Sequence, residues 1–258
     1  PERRMRLNRV FIDEPLAPDA VVRVRGPAAN HIARVLRLRA GDVLTAFDGR
    51  GGEYEARIES LRKDTVLVAV GAHRAVERES ALAVTLAQGV SRGERMDFVV
   101  QKATELGVQR IVPLLTERSV VRLDAKQADA KLRHWRAIAI AACEQCGRNA
   151  VPEVAAPQRL DALLEQSTVQ PPTRSEQPRA DGMQRLVLSP SGSLRARELV
   201  AGAPVMVLIG PEGGLSEAEI ASAVRADFRE LRLGPRILRT ETAALAALAV
   251  LQLQLGDL

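Results

Sequence analysis

The hydrophobic period of this chain changes near residue 80, and the change commits it to two differently built parts. Before that point, short runs rich in β-branched residues recur at 6–12, 21–24, 43–47, 53–60 and 65–70. Turn signals such as Gly41-Asp42 and the glycine-rich stretch 48–52 separate them. In the fourth run Tyr54, Ala56 and Ile58 alternate with charged residues, which marks a strand with one wet face. These runs predict a small β-barrel over residues 1–75, interrupted by one helical segment at 28–38. A charged stretch, 73–80, follows it.

From residue 81 strands and helices alternate. The spacing predicts a strand at 82–86 and then a helix on which Met96, Val99, Val100, Ala103 and Leu106 share a face up to Gly107. Further strands are predicted at 111–115, 186–188, 205–209 and 231–233, with helices at 127–146 and 216–226. A closing helix at 241–255 is apolar nearly all round, so it must be buried in the domain or in a partner subunit. Residues 80–258 therefore read as an α/β domain on a mainly parallel sheet. The stretch 166–182, with Pro171, Pro172 and Pro178 among polar residues, reads as a flexible loop.

No apolar run reaches the roughly 18 residues that a spanning helix needs, and the charged N-terminus is followed by no apolar signal core. The expectation is a cytoplasmic protein with no membrane partner, whose native start could be Met5. Cys143 and Cys146 form the sole C-x-x-C, and His31, His73 and His134 lack the spacing of a zinc site, so no metal is expected. Two reduced thiols on a helix face are favoured over a redox pair.

The net charge is +5, and nearly all of the excess lies early: 14 Lys/Arg against 10 Asp/Glu up to residue 75, then 23 against 22. Arg34, Arg37 and Arg39 fall within six residues, with Arg9, Arg23 and Arg25 upstream. Such a cluster neutralises phosphates, or it forms a solvated basic face. Six aromatics in the whole chain argue against a base-stacking platform.

Chemistry on an α/β sheet gathers at the carboxyl ends of the strands. The dinucleotide fingerprint is missing after the first of them, where the segment is Gln88-Gly89-Val90-Ser91-Arg92-Gly93. That argues against a nicotinamide-dependent oxidoreductase. The glycines come late: the apolar run 205–209 leads into Gly210-Pro211-Glu212-Gly213-Gly214, with Ser216 and Glu219 spaced as a capping box. Taken alone this is a tight turn or a cradle for a flat ligand. A second loop, Leu233-Gly234-Pro235-Arg236-Ile237-Leu238-Arg239-Thr240-Glu241-Thr242-Ala243, follows the last strand, and the two loops can form two walls of one pocket.

This pair of loops resembles the cofactor-binding pair of the SPOUT methyltransferases and, within them, of the RsmE family of 16S ribosomal RNA uracil-N3 methyltransferases. Asn30-His31 with Arg34-Val35-Leu36-Arg37, Phe47-Asp48-Gly49, Gln101 to Gly107, Thr116-Glu117-Arg118-Ser119 and Glu144-Gln145-Cys146-Gly147-Arg148 agree, so the likeness runs nearly end to end. It implies a PUA-like barrel, a C-terminal domain with a deep trefoil knot, and a homodimer. The cofactor implied is S-adenosylmethionine, and the substrate is 16S rRNA of the small ribosomal subunit, methylated at the uridine numbered 1498 in the bacterial reference. Periodicity alone gives an unknotted sheet, since knots are nearly absent among folds.

By matching motif positions, Leu208, Ile209, Gly210, Gly213, Gly214, Leu233, Gly234, Ile237, Leu238 and Thr242 should line the cofactor pocket. Methyl transfer to uridine N3 needs the base unpaired and its imide proton removed, with a cation near O2 or O4 to hold the resulting charge. Arg239 is the candidate cation. Glu241 or Glu105 is the candidate proton acceptor, and Glu241 could equally be a carboxylate complementing a helix N-terminus. Arg9, Asn30, His31, Arg34 and Arg37 are the candidate RNA contacts, His31 also fitting a structural role. The rival reading is a non-catalytic ribosome-assembly or RNA-binding factor, which would have no affinity for the cofactor.

Overall fold

The computed structural model describes residues 8–168 and 182–258; the proline-containing stretch 169–181 lies outside the described residues, as do residues 1–7. The chain forms two compact units. One comprises the chain up to Glu79 together with Ile140–Val151, and the other Ser80–Ala139 and Pro152–Leu258.

The first unit is a five-stranded sheet in the order β1-β3-β4-β5-β2, with β1 and β2 as its edges. Its strands are β1 (Arg9–Phe11), β2 (Val21–Arg25), β3 (Val43–Phe47), β4 (Glu53–Arg62) and β5 (Thr65–Arg74). Strand β1 runs parallel to β3 and all other pairs are antiparallel. The register slips twice between β4 and β5, between Tyr54 and Ala56 and between Ile58 and Ser60. Such bulges bend a strand, and the sheet curls into a half-barrel. Its core holds Val10, Ile32, Leu44, Ala46, Ile58 and Val68.

The helical segment begins earlier than the sequence suggested. Helix α1 (Gly26–Asn30) starts with Pro27 in its first turn, where the missing N–H costs nothing. A single π-turn, His31–Val35, continues it, and Arg37, at φ 56°, ends it before Leu38. The segment Ile140–Val151 belongs to this unit because its apolar side chains enter the same packing: Phe11, Phe47 and Cys143 form one buried cluster flanked by Ile140 and Val151.

The second unit holds a parallel sheet in the order β12-β10-β11-β6-β7-β8, with β9 also on β7. Its strands are β6 (Val84–Gly89), β7 (Arg110–Leu115), β8 (Glu153–Val154), β9 (Gln158–Arg159), β10 (Gln184–Leu188), β11 (Val205–Ile209) and β12 (Arg229–Leu231). Strand β11 is buried along its whole length, as a parallel strand covered on both faces must be. The helices are α2 (Glu94–Glu105), α3 (Ala125–Cys146, of which the residues from Ile140 belong to the first unit), α4 (Leu160–Thr168), α5 (Glu217–Arg225) and α6 (Thr240–Leu255).

Four features depart from expectation. Strand β6 covers Val84–Gly89 where 82–86 was expected. The last strand ends at Leu231, two residues early, because its partner β10 stops at Leu188, which pairs with Leu231. Strands β8 and β9, two residues each, were not foreseen. Residues 166–168 of the expected loop belong to α4, whose Leu160, Leu163 and Leu164 are buried at helical spacing. Helix α6 buries Ala244, Ala247, Leu248, Leu251 and Gln252 and leaves Leu253 exposed, so among the described residues one face of it is covered. Among the described residues no helix is long and apolar enough to cross a membrane.

Candidate active site

Three loops leave the carboxyl ends of β10, β11 and β12 and surround a pocket of about 670 Å³. Ser189 and Pro190 come from the first, Gly210 to Leu215 from the second, and Arg232 to Gly234 with Arg236 to Arg239 from the third, with the N-terminus of α6 closing the circuit.

The second loop can lie flat only because of its glycines. A Cβ on Gly210 would stand 2.7 Å from the carbonyl carbon of Gly214 and from the nitrogen of Leu215, a distance real Cβ atoms do not reach. A Cβ on Gly213 would press on the Arg118 side chain at 3.1 Å, and Gly214 sits at φ +68°. The loop ends in a capping box. Ser216 Oγ accepts from the Glu219 amide at 3.2 Å, and the Glu219 carboxylate accepts from the Ser216 amide at 2.9 Å.

Polar contacts then fix the walls. Glu212 accepts from the Arg92 amide at 2.9 Å and from the Arg95 guanidinium at 2.8 Å. Burial raises its carboxyl pKa, but bonds from its own amide, from Arg92 and from Arg95 outweigh this and leave it below the usual 4.5. The Arg118 guanidinium donates to the Gly213 carbonyl at 3.2 Å. Beneath the loops the Thr240 hydroxyl donates to the Gly210 carbonyl at 2.6 Å and accepts from Gln88 Nε2 at 2.9 Å.

Of the residues the sequence pointed to, Ile209, Gly210, Gly213, Gly214, Leu233, Gly234, Ile237 and Leu238 line the pocket, as do Arg239 and Glu241. Leu208 does not: it is fully buried in the core of β11, since the strand's side chains alternate and its neighbour Ile209 takes the pocket position. Thr242 also lies off the lining, on the exposed side of the first turn of α6. Glu105 is outside it, at the end of α2, paired to Lys102 Nζ at 2.7 Å. Glu241 Oε2 is buried without a hydrogen-bond partner among the described residues. The sequence reading did not assign Gln88, Arg95, Arg118 or Glu212 to this site. Glu212 and Arg118 sat inside motifs already noted, whereas Gln88 and Arg95 carried no local signal.

In the first unit Asn30, Arg34 and Arg37 are exposed, together with Arg23 and Arg25. His31 is half-buried, its Nε2 3.6 Å from the Glu144 carboxylate. Arg9 is not on this surface. It is 4% exposed, ion-paired with Glu53, and donates to Asn149 Oδ1 at 2.6 Å and to the Arg148 carbonyl at 3.1 Å. Cys143 is fully buried, and burial pushes its thiol up to about 12.

A pocket walled by glycine backbone and rimmed by five arginines suits a flat, polar ligand beside an anionic one. Comparison with known proteins narrows this. Residues 78–252 match the family model described as RNA methyltransferase domain, and residues 24–71 the one described as RNA methyltransferase PUA domain. The fold is thus that of an RNA methyltransferase. Ribosomal RNA small subunit methyltransferase E of Bacillus subtilis is 34% identical over 90% of this chain and 89% of its own length. The protein of that name from Buchnera aphidicola subsp. Schizaphis graminum is 32% identical over 99% of both. A Legionella pneumophila methyltransferase solved with bound SAM is 40% identical, with a TM-score of 0.89 over 98% of this chain and 100% of that one. Ribosomal RNA small subunit methyltransferase E from Neisseria gonorrhoeae, bound to S-adenosyl methionine, is 35% identical, with a TM-score of 0.85 over 97% and 99%. The chain belongs to the ribosomal RNA small subunit methyltransferase E family.

Proposed function

We propose that this protein methylates N3 of a uridine in 16S rRNA, the one numbered 1498 in the bacterial reference, using S-adenosylmethionine. The observation that carries the reading is the glycine-walled pocket, in a chain whose relatives at 35% and 40% identity were solved with that cofactor. The residues present fit the group: glycine at 210 and 213 lets the loop pack against Gly214, Leu215 and Arg118, and the pocket lining it forms offers peptide N–H and C=O groups to an adenine.

Bound S-adenosylmethionine supplies a methyl group on sulfonium, reactive enough that alignment provides much of the acceleration. Glu241, which lines the pocket and whose Oε2 has no hydrogen-bond partner among the described residues, takes the N3 proton. Arg239, exposed on the same wall, holds the negative charge that spreads to O2 or O4. Glu105, paired to Lys102 away from the lining, is set aside as the base. Asn30, His31, Arg34 and Arg37 of the barrel domain, residues 1–75, contact RNA. Residues 80–258 form the knotted SPOUT domain, which dimerises through the half-covered α6, and the enzyme works in the cytoplasm, where small subunits are available.

Calorimetric titration with S-adenosylmethionine, beside a folded Gly213→Trp variant, tests the reading. Binding by the parent alone, followed by labelled-methyl transfer to undermethylated small subunits, supports it. A ligand-free parent with no affinity even with RNA present would be an assembly factor instead.

A further inference from the structure

Gln88 is an unusual residue for its place. It lies near the end of β6, paired on one side with Ile209 of β11 and on the other with Pro113 of β7, and it is fully buried. An apolar side chain would suit a central parallel strand better. Its amide nitrogen nevertheless serves three oxygens: Thr240 Oγ1 at 2.9 Å, the Gly89 carbonyl at 3.0 Å and the Gly210 carbonyl at 3.4 Å. Its Oε1 has no hydrogen-bond partner among the described residues. A buried acceptor left unsatisfied is a cost to folding, so stability alone does not explain why glutamine is here.

The geometry of its partners does. Gly210 opens one wall of the pocket, and Thr240 is the first residue of α6, the other wall. The Thr240 hydroxyl, 2.6 Å from the Gly210 carbonyl, links the walls directly, and Gln88 holds that hydroxyl from below. Thr240 stands between Arg239 and Glu241, so whatever fixes its side chain fixes the backbone from which both chemically active side chains depart. Close approach leaves no slack: a Cβ on Gly89 would meet the Pro211 nitrogen at 2.4 Å.

We propose that Gln88 and Thr240 are positioning residues that set the spacing between the cofactor loop and the N-terminus of α6. The proposal rests on the methyl-transfer reading of the pocket. It makes the orphaned acceptor the accompaniment of a donor that must reach Thr240.

The test uses full-length protein and four variants: Thr240→Val, which keeps the shape and loses the hydroxyl, Thr240→Ser, which keeps the hydroxyl, Gln88→Met and Gln88→Glu. In Thr240→Val and Gln88→Met, kcat should fall at least tenfold while KM for small subunits stays within twofold, and Gln88→Met should melt no lower than the parent. Thr240→Ser should keep at least half of the parent kcat. Gln88→Glu, which replaces the donor by an acceptor, should be as slow as Gln88→Met. A Thr240→Val kcat within twofold of the parent would overturn the proposal, as would a Thr240→Ser variant as slow as Thr240→Val. Amide hydrogen exchange reads the same link without cofactor or RNA. Gly214 and Ala243, whose amides are bonded to Pro211 and Arg239, should exchange faster together in Thr240→Val. A parent that transfers no methyl group refutes the reading of function, while unchanged exchange in Thr240→Val refutes the positioning role.

Discussion

The carboxylate of Glu212 sits 2.8 Å from the guanidinium of Arg95 and ties the glycine loop after β11 to the first turn of α2. Both side chains are partly exposed, so the pair contributes at most about 1 kcal/mol to stability. Its effect should appear in the loop. Because the Glu212 carboxyl is held below 4.5, its contribution is complete above that pH and is lost as pH falls through the lower, folded value. Cofactor affinity should therefore be flat from pH 8 down to 4.5 and weaken only as pH falls through the lower, folded value. In Glu212→Gln the acid limb should flatten, with affinity reduced about threefold to tenfold at neutral pH, as calorimetry at several pH values would read.

Arg9 gives the opposite case, a charge whose removal should be felt in folding. With side chains 3% and 8% exposed, Arg9 and Glu53 form a buried pair, and Arg9 also lies 4.8 Å above the Phe47 ring. Removing one partner of a buried pair costs about 3–5 kcal/mol when the other charge is left uncompensated, and here Arg78 Nη1, 3.3 Å from the Glu53 carboxylate, offsets part of that. Arg9→Met should lose at most that much in denaturant unfolding. The salt dependence of RNA binding should stay as in the parent under conditions where the variant is folded. Arg34→Ala or Arg37→Ala should do the reverse, each lowering the salt slope by about 1 with little change in stability.

Glu144 should destabilise the protein at neutral pH. Burial pushes its carboxyl above 4.5, against the pull of the Phe11 amide at 3.1 Å and of the nearby His31 and Arg9. A carboxyl whose folded value is raised makes the protein relatively more stable as pH falls through that value, with the gain complete below 4.5. Glutamine keeps an acceptor for the Phe11 amide without the buried charge. Glu144→Gln should therefore melt higher than the parent at pH 8, with the difference shrinking towards pH 4. A lower melting temperature at pH 8 would show that the contact with His31 outweighs burial.

Gly210→Ala should be a cofactor-site variant and not merely a loop variant. The added methyl meets backbone atoms of Gly214 and Leu215 at 2.7 Å, which can yield only by moving the wall itself. Affinity for S-adenosylmethionine should fall at least tenfold, about 1.4 kcal/mol, with circular dichroism unchanged. Affinity within twofold of the parent would mean that the cofactor does not rest on this wall.

Much of this was legible in the sequence, and the exceptions have physical causes. Strands β3 and β11 were bounded correctly because both their apolar runs and their flanking turn residues are clear. The glycine loops located the pocket because positive φ and close backbone approach leave few alternatives to glycine. Strands β8 and β9 were invisible, since two residues carry no period. Helix α4 was missed altogether, since Leu160, Leu163 and Leu164 make too short an apolar pattern before polar residues begin. Arg9 looked like its neighbours Arg23 and Arg25, and composition cannot distinguish a charge facing solvent from one meeting Glu53, 44 residues away in sequence. Gln88 and Arg95 were missed for the same reason: their roles depend on partners in distant segments, Thr240 and Glu212.

The N-terminal half-barrel unit is not a contiguous cassette. Phe11 and Phe47 share their apolar cluster with Cys143, and Arg9 shares hydrogen bonds with Asn149, so the unit is completed by Ile140–Val151, supplied after sixty residues of the other unit have intervened. During synthesis the main core, Val10 to Val70, can close from the N-terminal residues alone, whereas the Phe11–Phe47 cluster and the hydrogen bonds of Arg9 must wait for that segment. A chimera that exchanges the N-terminal unit between relatives must carry both pieces, or it will pair one protein's Arg9 with another's substitute for Asn149.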